Sequence, residues 1–409
     1  MQPQRVVITG LGLTSPIGDS LDAISDALQT GRHGIRSMPE WDRIGDLRTK
    51  LAGVSQVVLK GRYPRKKIRS MGRVSLLATF ASEMAIADAG LDPDLVASGR
   101  VGLAYGSTTG SSDAMEEFCG TLFTKYSLRG LKANSYLKMM SHTCAANLAL
   151  FFGIKGRIIP TCSACTSGAQ AIGYAYESIK YGLQEIMVAG GAEEIHFASA
   201  ATFDLMFATS AGYNDRPDAS PRPFDSARDG LVIGEGAGTL VLESYERARA
   251  RGAQIYAEII GFGTNCDGLH VTAPSQAGMA GAMHLSLRDA AIGAETIDYV
   301  NAHGTATEIG DIAESHATQS VFQRRVPISS TKSFTGHTLG ACGAIEAIFS
   351  LAMMRDQFLA PTRNLETVDP RCADLDYVLE RRSADPKVIM SNNFAFGGVN
   401  TSMILQKLT

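Results

Sequence analysis

Three short glycine-bearing segments, far apart in the chain, each present one reactive side chain: Cys165 in SACTSGA, His303 in NAHGTATEIGD and His337 in KSFTGHTLGACGA. A thiol makes and breaks thioesters, and imidazoles serve the oxyanions and carbanions that such chemistry generates. Glycine beside each group lets backbone come close to a ligand. Taken singly, each has a plainer reading, the cysteine as a small buried hydrophobe and each histidine as a satisfied core residue. Their conjunction in segments of the same kind points instead to covalent acyl transfer through sulfur.

The elements around them agree. Arg157 to Ala164 reads as a short apolar strand, and Thr166 to Tyr181 carries small and apolar residues at helical spacing until Gly182. Cys165 then lies at a strand-to-helix turn, where free amides and the helix dipole should lower a thiol's pKa. His303 follows the strand TIDYVNA, and His337 opens a helix after the strand VPISSTKS, with Lys332 just before the turn. Ligands of open α/β proteins bind beyond such strand ends. An internal echo supports a duplication: ATFASEMAIADAGL, RVGLAYG and GSTTGSSDAMEEF are mirrored by GAMHLSLRDAAIGA, TIDYVNA and HGTATEIGDIAES, and IIPTCSA by VPISSTKS. Two halves of alternating strand and helix, 1–250 with the cysteine and 251–409 with both histidines, imply a layered α/β core with the site at their junction.

Three other patterns invite different readings. Cys162 and Cys165 form a CxxC, as in dithiol oxidoreductases or half of a zinc site. No second pair completes a zinc set, and the histidines would be left without a task. GLGLTS from Gly10 follows a strand as a dinucleotide fingerprint does, but Ser15 replaces the third glycine and no acidic residue follows at the right distance. GEGAG at Gly234 to Gly238 reads as a tight packing turn. No dedicated metal-ligand cluster is visible.

SACTSGA, NAHGTAT, SSTKSFTGHTLGACGA and NNFAFGGVN, in this order, resemble the motifs of β-ketoacyl-ACP synthases, the elongating condensing enzymes of the thiolase superfamily. The likeness runs from VVITGLGLTSPIG to the last strand and implies a thiolase-like duplicated αβαβα core with mixed sheets. It implies that Cys165 takes an acyl chain from an acyl carrier protein, and that His303 and His337 hold a malonyl thioester and favour its decarboxylation. Lys332 would orient these groups and Glu314 would support Lys332. The amides of Cys165 and Phe396 would form the oxyanion hole, with Gly397 and Gly398 permitting close approach and Phe394 beside them as a gate. Thr305 and Thr307 would bind substrate, Thr109 would stand in the acyl pocket, and Asn134 and Ser135 would make that pocket unusually polar. A second histidine, where priming enzymes carry asparagine, implies elongation, in fatty-acid synthesis or in a polyene or aromatic polyketide pathway. No cofactor is implied; a homodimer, or pairing with an inactive paralogue, is.

Composition fits a large-cored enzyme: 409 residues, 45% hydrophobic, with 42 glycines. A net charge of -3 gives no reason to expect nucleic acid, and no run of about 18 apolar residues suggests a membrane span. Seven scattered cysteines suit reduced thiols, and the start MQPQRVVITG lacks the pattern of a signal peptide, so a cytoplasmic site is expected. RYPRKKIRSMGR gathers Arg62, Arg65, Lys66, Lys67, Arg69 and Arg73 into a basic run. Within it Arg65, Lys66, Lys67 and above all Lys66 and Arg69 are the expected docking residues for an acidic carrier protein.

Overall fold

The computed structural model describes residues 3–408. Strands of the central sheet are β1 (Val6–Thr14), β2 (Val101–Gly106), β3 (Ile158–Thr161), β4 (Ile186–Glu193), β5 (Gly236–Ser244), β6 (Ala257–Cys266), β7 (Tyr299–Asn301), β8 (Pro327–Ser329), β9 (Asp376–Tyr377), β10 (Val388–Phe394) and β11 (Val399–Gln406). Their order in space is β9-β8-β7-β10-β11-β6-β1-β5-β4-β2-β3. The run β3-β2-β4-β5-β1 recurs as β8-β7-β10-β11-β6, and each has the same mixture of parallel and antiparallel neighbours. The repeat heard in the sequence is therefore a repeat of topology. The two runs are joined into one sheet where Val6–Ile8 pairs antiparallel with Ala257–Ile259.

Five helices build the layers: α1 (Arg73–Asp88), α2 (Ser167–Lys180), α3 (Gln276–Ala290), α4 (Glu308–Phe322) and α5 (Cys342–Asp356). α2 and α5 pack on each other and on strands from both runs, whereas α1 covers β1 and β5 and α3 covers β6 and β11. This is the expected αβαβα stacking. The central helix α5 carries CGAIEAIFSLAMM with every one of these residues buried, which only an element enclosed on all sides sustains. One apolar cluster runs through the middle layer and takes Leu240 from the first run, Met403 from the second and Phe349 from α5.

Gly10 and Gly12 lie within the nine-residue strand β1 rather than in a phosphate-binding turn. A Cβ at Gly12 would stand 2.0 Å from the carbonyl oxygen of Ala81, and one at Gly10 2.3 Å from that of Ala85, so both glycines admit α1 onto the sheet. GEGAG likewise packs: a Cβ at Gly238 would meet the α5 backbone at Ala344, 2.8 Å away. Overpacking of this kind costs about 1–3 kcal/mol. Gly12→Ala is expected to destabilise the chain by about that amount in denaturant melts without altering its state of association; a variant as stable as the parent would show that α1 does not sit this close.

Candidate active site

Cys165 follows β3 and precedes α2. The turn is forced through Ala164, a non-glycine residue at φ 48°. That left-handed conformation costs about 1–3 kcal/mol and persists only where neighbours impose it. Ser167 does so, its Oγ donating to the Ala164 carbonyl at 2.7 Å and accepting from the Ser163 amide at 2.9 Å. The sulfur is thereby aimed into the interior, with the residue only 6% exposed.

His337 reaches the same point from the second half. Its amide donates to the Val232 carbonyl at 2.7 Å and its carbonyl accepts from the Gly234 amide at 2.8 Å. Its Nε2 lies 2.9 Å from Cys165 Sγ, and its Nδ1 accepts from the Leu339 amide at 3.3 Å, which puts the ring proton on Nε2. His303 stands edge-on to His337, ring centres 5.1 Å apart, and a ring nitrogen of each imidazole falls within 4.8 Å of the sulfur. Among the described residues, its buried Nδ1 has no hydrogen-bond partner. The His303 turn is held by Glu314, whose two carboxylate oxygens accept from the amides of His303 and Gly304, each at 2.7 Å.

Lys332, 1% exposed, pairs with Glu346 at 2.5 Å, and Asn393 Nδ2 donates to the other Glu346 oxygen at 2.7 Å. The direct partner of Lys332 is thus Glu346, which the sequence reading did not single out; Glu314 holds the His303 turn and favours the charged Lys332 at longer range. Burial, and then the charge of Lys332, holds both imidazoles well below the usual histidine range. They are neutral N–H donors at physiological pH, as the chemistry requires.

Two expectations need correction. His337 does not open a helix: the strand ends at Ser329, a short turn of helix covers Lys332–Thr335, and α5 begins only at Cys342. Nor is the thiol acidic at rest. Burial pushes Cys165 up to about 12, while the charge of Lys332 and the amides of Cys165 and Phe396 pull the other way. Those two amides are placed to favour negative charge at the sulfur. Gly397 and Gly398 adopt φ 87° and 74°; at Gly397 there is open space for a Cβ, so conformation and not close approach demands glycine there, whereas a Cβ at Gly398 would crowd Asp267.

A cleft of about 350 Å³ joins Cys165, His303, His337, Phe394, Phe396 and Gly398 to Thr305, Thr307 and Glu314. Its rim is apolar and exposed, with Phe207 79%, Val271 67% and Ile309 63% accessible. Thr109, Asn134 and Ser135 do not line it. In the single chain Thr109 is exposed on the turn after β2, Ser135 is buried elsewhere, and Asn134 Nδ2 donates to the Arg69 carbonyl at 2.7 Å. Of the basic run, Arg65, Lys66, Lys67 and Arg69 are exposed, but Arg62 pairs with Glu83 and Arg73 with buried Glu235. Cys162 is exposed with its thiol 3.1 Å from the Thr108 carbonyl, and it is a free thiol, as is Cys165.

Residues 3–248 match the β-ketoacyl synthase N-terminal domain and 256–366 its C-terminal domain. The chain belongs to the β-ketoacyl synthase family. A β-ketoacyl synthase from Burkholderia phymatum STM815 superposes with a TM-score of 0.96 at 54% identity, covering 99% of this chain and 100% of that one. The 3-oxoacyl-[acyl-carrier-protein] synthase 1 of Escherichia coli (strain K12) is 41% identical, with 99% of both chains aligned. A type II polyketide ketosynthase, solved with its acyl-carrier protein and bound to the hexaketide, is similar at 32% identity and a TM-score of 0.90 over all of both chains. The architecture is thus the thiolase-like fold of the ketosynthases.

Because burial, and then the Lys332 charge, depresses both histidines, their neutral forms should survive acidification to below pH 6.5 and be lost only as pH falls through the lowered values. Lys332→Met removes that charge. The acid limb of malonyl decarboxylation should move up toward pH 6.5 while alkylation of Cys165 slows, since its thiol loses a stabilising cation. An unmoved acid limb would disconnect Lys332 from the imidazoles.

Proposed function

We infer that this chain is an elongating 3-oxoacyl-[acyl-carrier-protein] synthase of fatty-acid synthesis. One observation carries this: a buried sulfur, two neutral imidazoles and two backbone amides converge in one cleft. Cys165 Sγ attacks the carbonyl of an acyl group on its carrier, the amides of Cys165 and Phe396 take the developing oxyanion, and the thiol proton leaves with the carrier's thiol. A malonyl thioester then binds with its carbonyl against His303 and His337. Its bond to the carboxylate breaks, carbon dioxide departs with neither electron of the pair, and the resulting enolate attacks the acyl carbon on Cys165. The carbon–sulfur bond breaks, 3-oxoacyl carrier is released and the thiolate takes a proton from solvent. Thr305 and Thr307 at the cleft wall hold the incoming thioester arm, and Phe394 and Phe396 gate it. Relatives named 3-oxoacyl-[acyl-carrier-protein] synthase, matched over the full length, support this reading over a dithiol oxidoreductase, for which a buried Cys165 and an exposed Cys162 with separate partners are poorly arranged.

The partner is an acyl carrier protein, and its docking surface is the exposed set Arg65, Lys66, Lys67 and Arg69. An acidic partner is steered by such a patch. The working unit is a dimer, of two copies or with an inactive paralogue, in the cytoplasm. The open edge of the sheet at β3 supports this, with Ile158 42% and Leu150 on the adjoining helix 79% exposed. A second chain there would cover Thr109 and give it, with Asn134 and Ser135, a part in the acyl pocket. In this reading residues 1–250 contribute the sulfur and 251–409 both imidazoles.

Incubation with acyl carrier should leave an acyl adduct on the Cys165 peptide by mass spectrometry and none in Cys165→Ala; absence of the adduct in the parent chain ends the proposal. Charge reversal at Lys66 and Arg69 should lower kcat/KM for carrier-bound substrate at least about tenfold and spare small thioester mimics. Equal loss with both substrates would move the docking surface elsewhere.

A further inference from the structure

One buried carboxylate beside the site has no part in the chemistry above. Glu193, the last residue of β4, is 2% exposed. Its Oε2 accepts from the Thr108 amide at 3.0 Å and from the Gly340 amide at 3.0 Å. These amides come from different halves of the chain. Gly340 lies three residues after His337, on the turn that carries that imidazole, and Thr108 adjoins Thr109 on the turn after β2. The neighbouring Glu194 faces away, accepting from the amides of Val74 and Asp113 and the hydroxyl of Ser111.

The junction has no slack. A Cβ at Gly340 would stand 2.8 Å from Glu193 Oε2 and 2.8 Å from the Thr108 nitrogen. On its other side the Gly340 carbonyl oxygen would be 2.4 Å from a Cβ at Gly191 and 2.7 Å from one at Gly168, the second residue of α2. The His337 turn is thus seated against the element that follows Cys165, and a single oxygen fastens it there. Burying a carboxylate is costly, and hydrogen bonds to it offset that cost only with good geometry. Burial pushes Glu193 up to about 7, the Thr108 hydroxyl and the two amides pulling it back.

We propose that Glu193 is a positioning residue for condensation: it sets the distance between His337 and Cys165 and ties it to the turn that carries Thr109. The proposal rests on the condensing function above and adds a link between acyl-chain recognition and the decarboxylating imidazole. A shift in one turn is transmitted through the shared oxygen to the other.

Two variants of the full-length chain separate reach from charge. Glu193→Gln keeps a carbonyl oxygen at the same reach and removes the charge, and Glu193→Asp keeps the charge on a side chain one methylene shorter. Condensation should stay within about threefold of the parent in E193Q and fall roughly 10–100-fold in kcat in E193D, with little change in KM for malonyl carrier, because an ångström of misplacement is enough for such a loss. E193D should also alter the ranking of acyl chains of different length, which lost stability alone would not do. Iodoacetamide should alkylate Cys165 faster in E193Q than in the parent at a fixed pH, since the Glu193 charge opposes the thiolate. E193D condensing within threefold of the parent, E193Q as impaired as E193D, or E193D with an unchanged chain-length ranking would each overturn the proposal. Should the parent chain form no condensation product, the functional reading falls, and the alkylation comparison still decides whether Glu193 acts on the sulfur.

Discussion

A single positive charge, sealed from water, organises this site. Lys332 can be charged where it stands only because Glu346 meets it at 2.5 Å and Asn393 takes the remaining carboxylate oxygen. Breaking such a pair by removing one partner costs about 3–5 kcal/mol, so its members are bound to each other's presence. Its effect on the neighbours has opposite signs by chemistry. A nearby cation disfavours a second cation and so keeps both imidazoles neutral, yet it favours an anion and so eases ionisation of Cys165. Burial is the larger influence on all three groups; the cation adds to it at the imidazoles, keeping them neutral, and offsets part of it at the thiol.

The duplicated topology explains how these groups meet. α2 and α5 are both entered through a non-glycine residue in the left-handed region three positions before the helix, Ala164 and Leu339, each at φ 48°. One residue later the first half places Cys165 and the second places Gly340. One position carries the sulfur; its counterpart needs the absence of a side chain, because a Cβ there would stand 2.8 Å from both Glu193 Oε2 and the Thr108 nitrogen. The two halves thus approach through equivalent turns that have diverged into a reactive member and a seating member.

Much of this was legible in the sequence. The glycine-bracketed cysteine and histidines announced the reacting groups, and the echo of helix, strand and turn announced the repeat. What was hidden has physical causes. KSFT reads equally as strand or as one turn of helix, since four residues with a single apolar member show no decisive period, and the start of α5 was accordingly set too early. Glu346 was missed although a signal existed: a lone carboxylate in the apolar run AIEAIFSLAMM cannot stay unpaired and points to a buried cation. Glu314 was found, but its grip on the His303 turn was not, because two backbone amides leave no mark in a sequence. Thr109 lies on a face that one chain leaves exposed, and no local pattern says what covers it.

The proton positions complete the logic of the site. Leu339 donates its amide to His337 Nδ1, so Nε2 carries the hydrogen and points it at Cys165 Sγ. A neutral imidazole so fixed cannot also accept the thiol proton at that nitrogen. Acyl transfer does not require it to: sulfur needs a donor while it bears negative charge, and its proton departs with the thiol that leaves. Once acylated, the sulfur carries no charge and releases the donor. In the reaction proposed for this site, the same N–H is then free for the oxygen of the second thioester, where negative charge appears next as carbon dioxide is lost. Two anions that never coexist can share one hydrogen-bond donor, and a tautomer locked by backbone is what makes that succession possible.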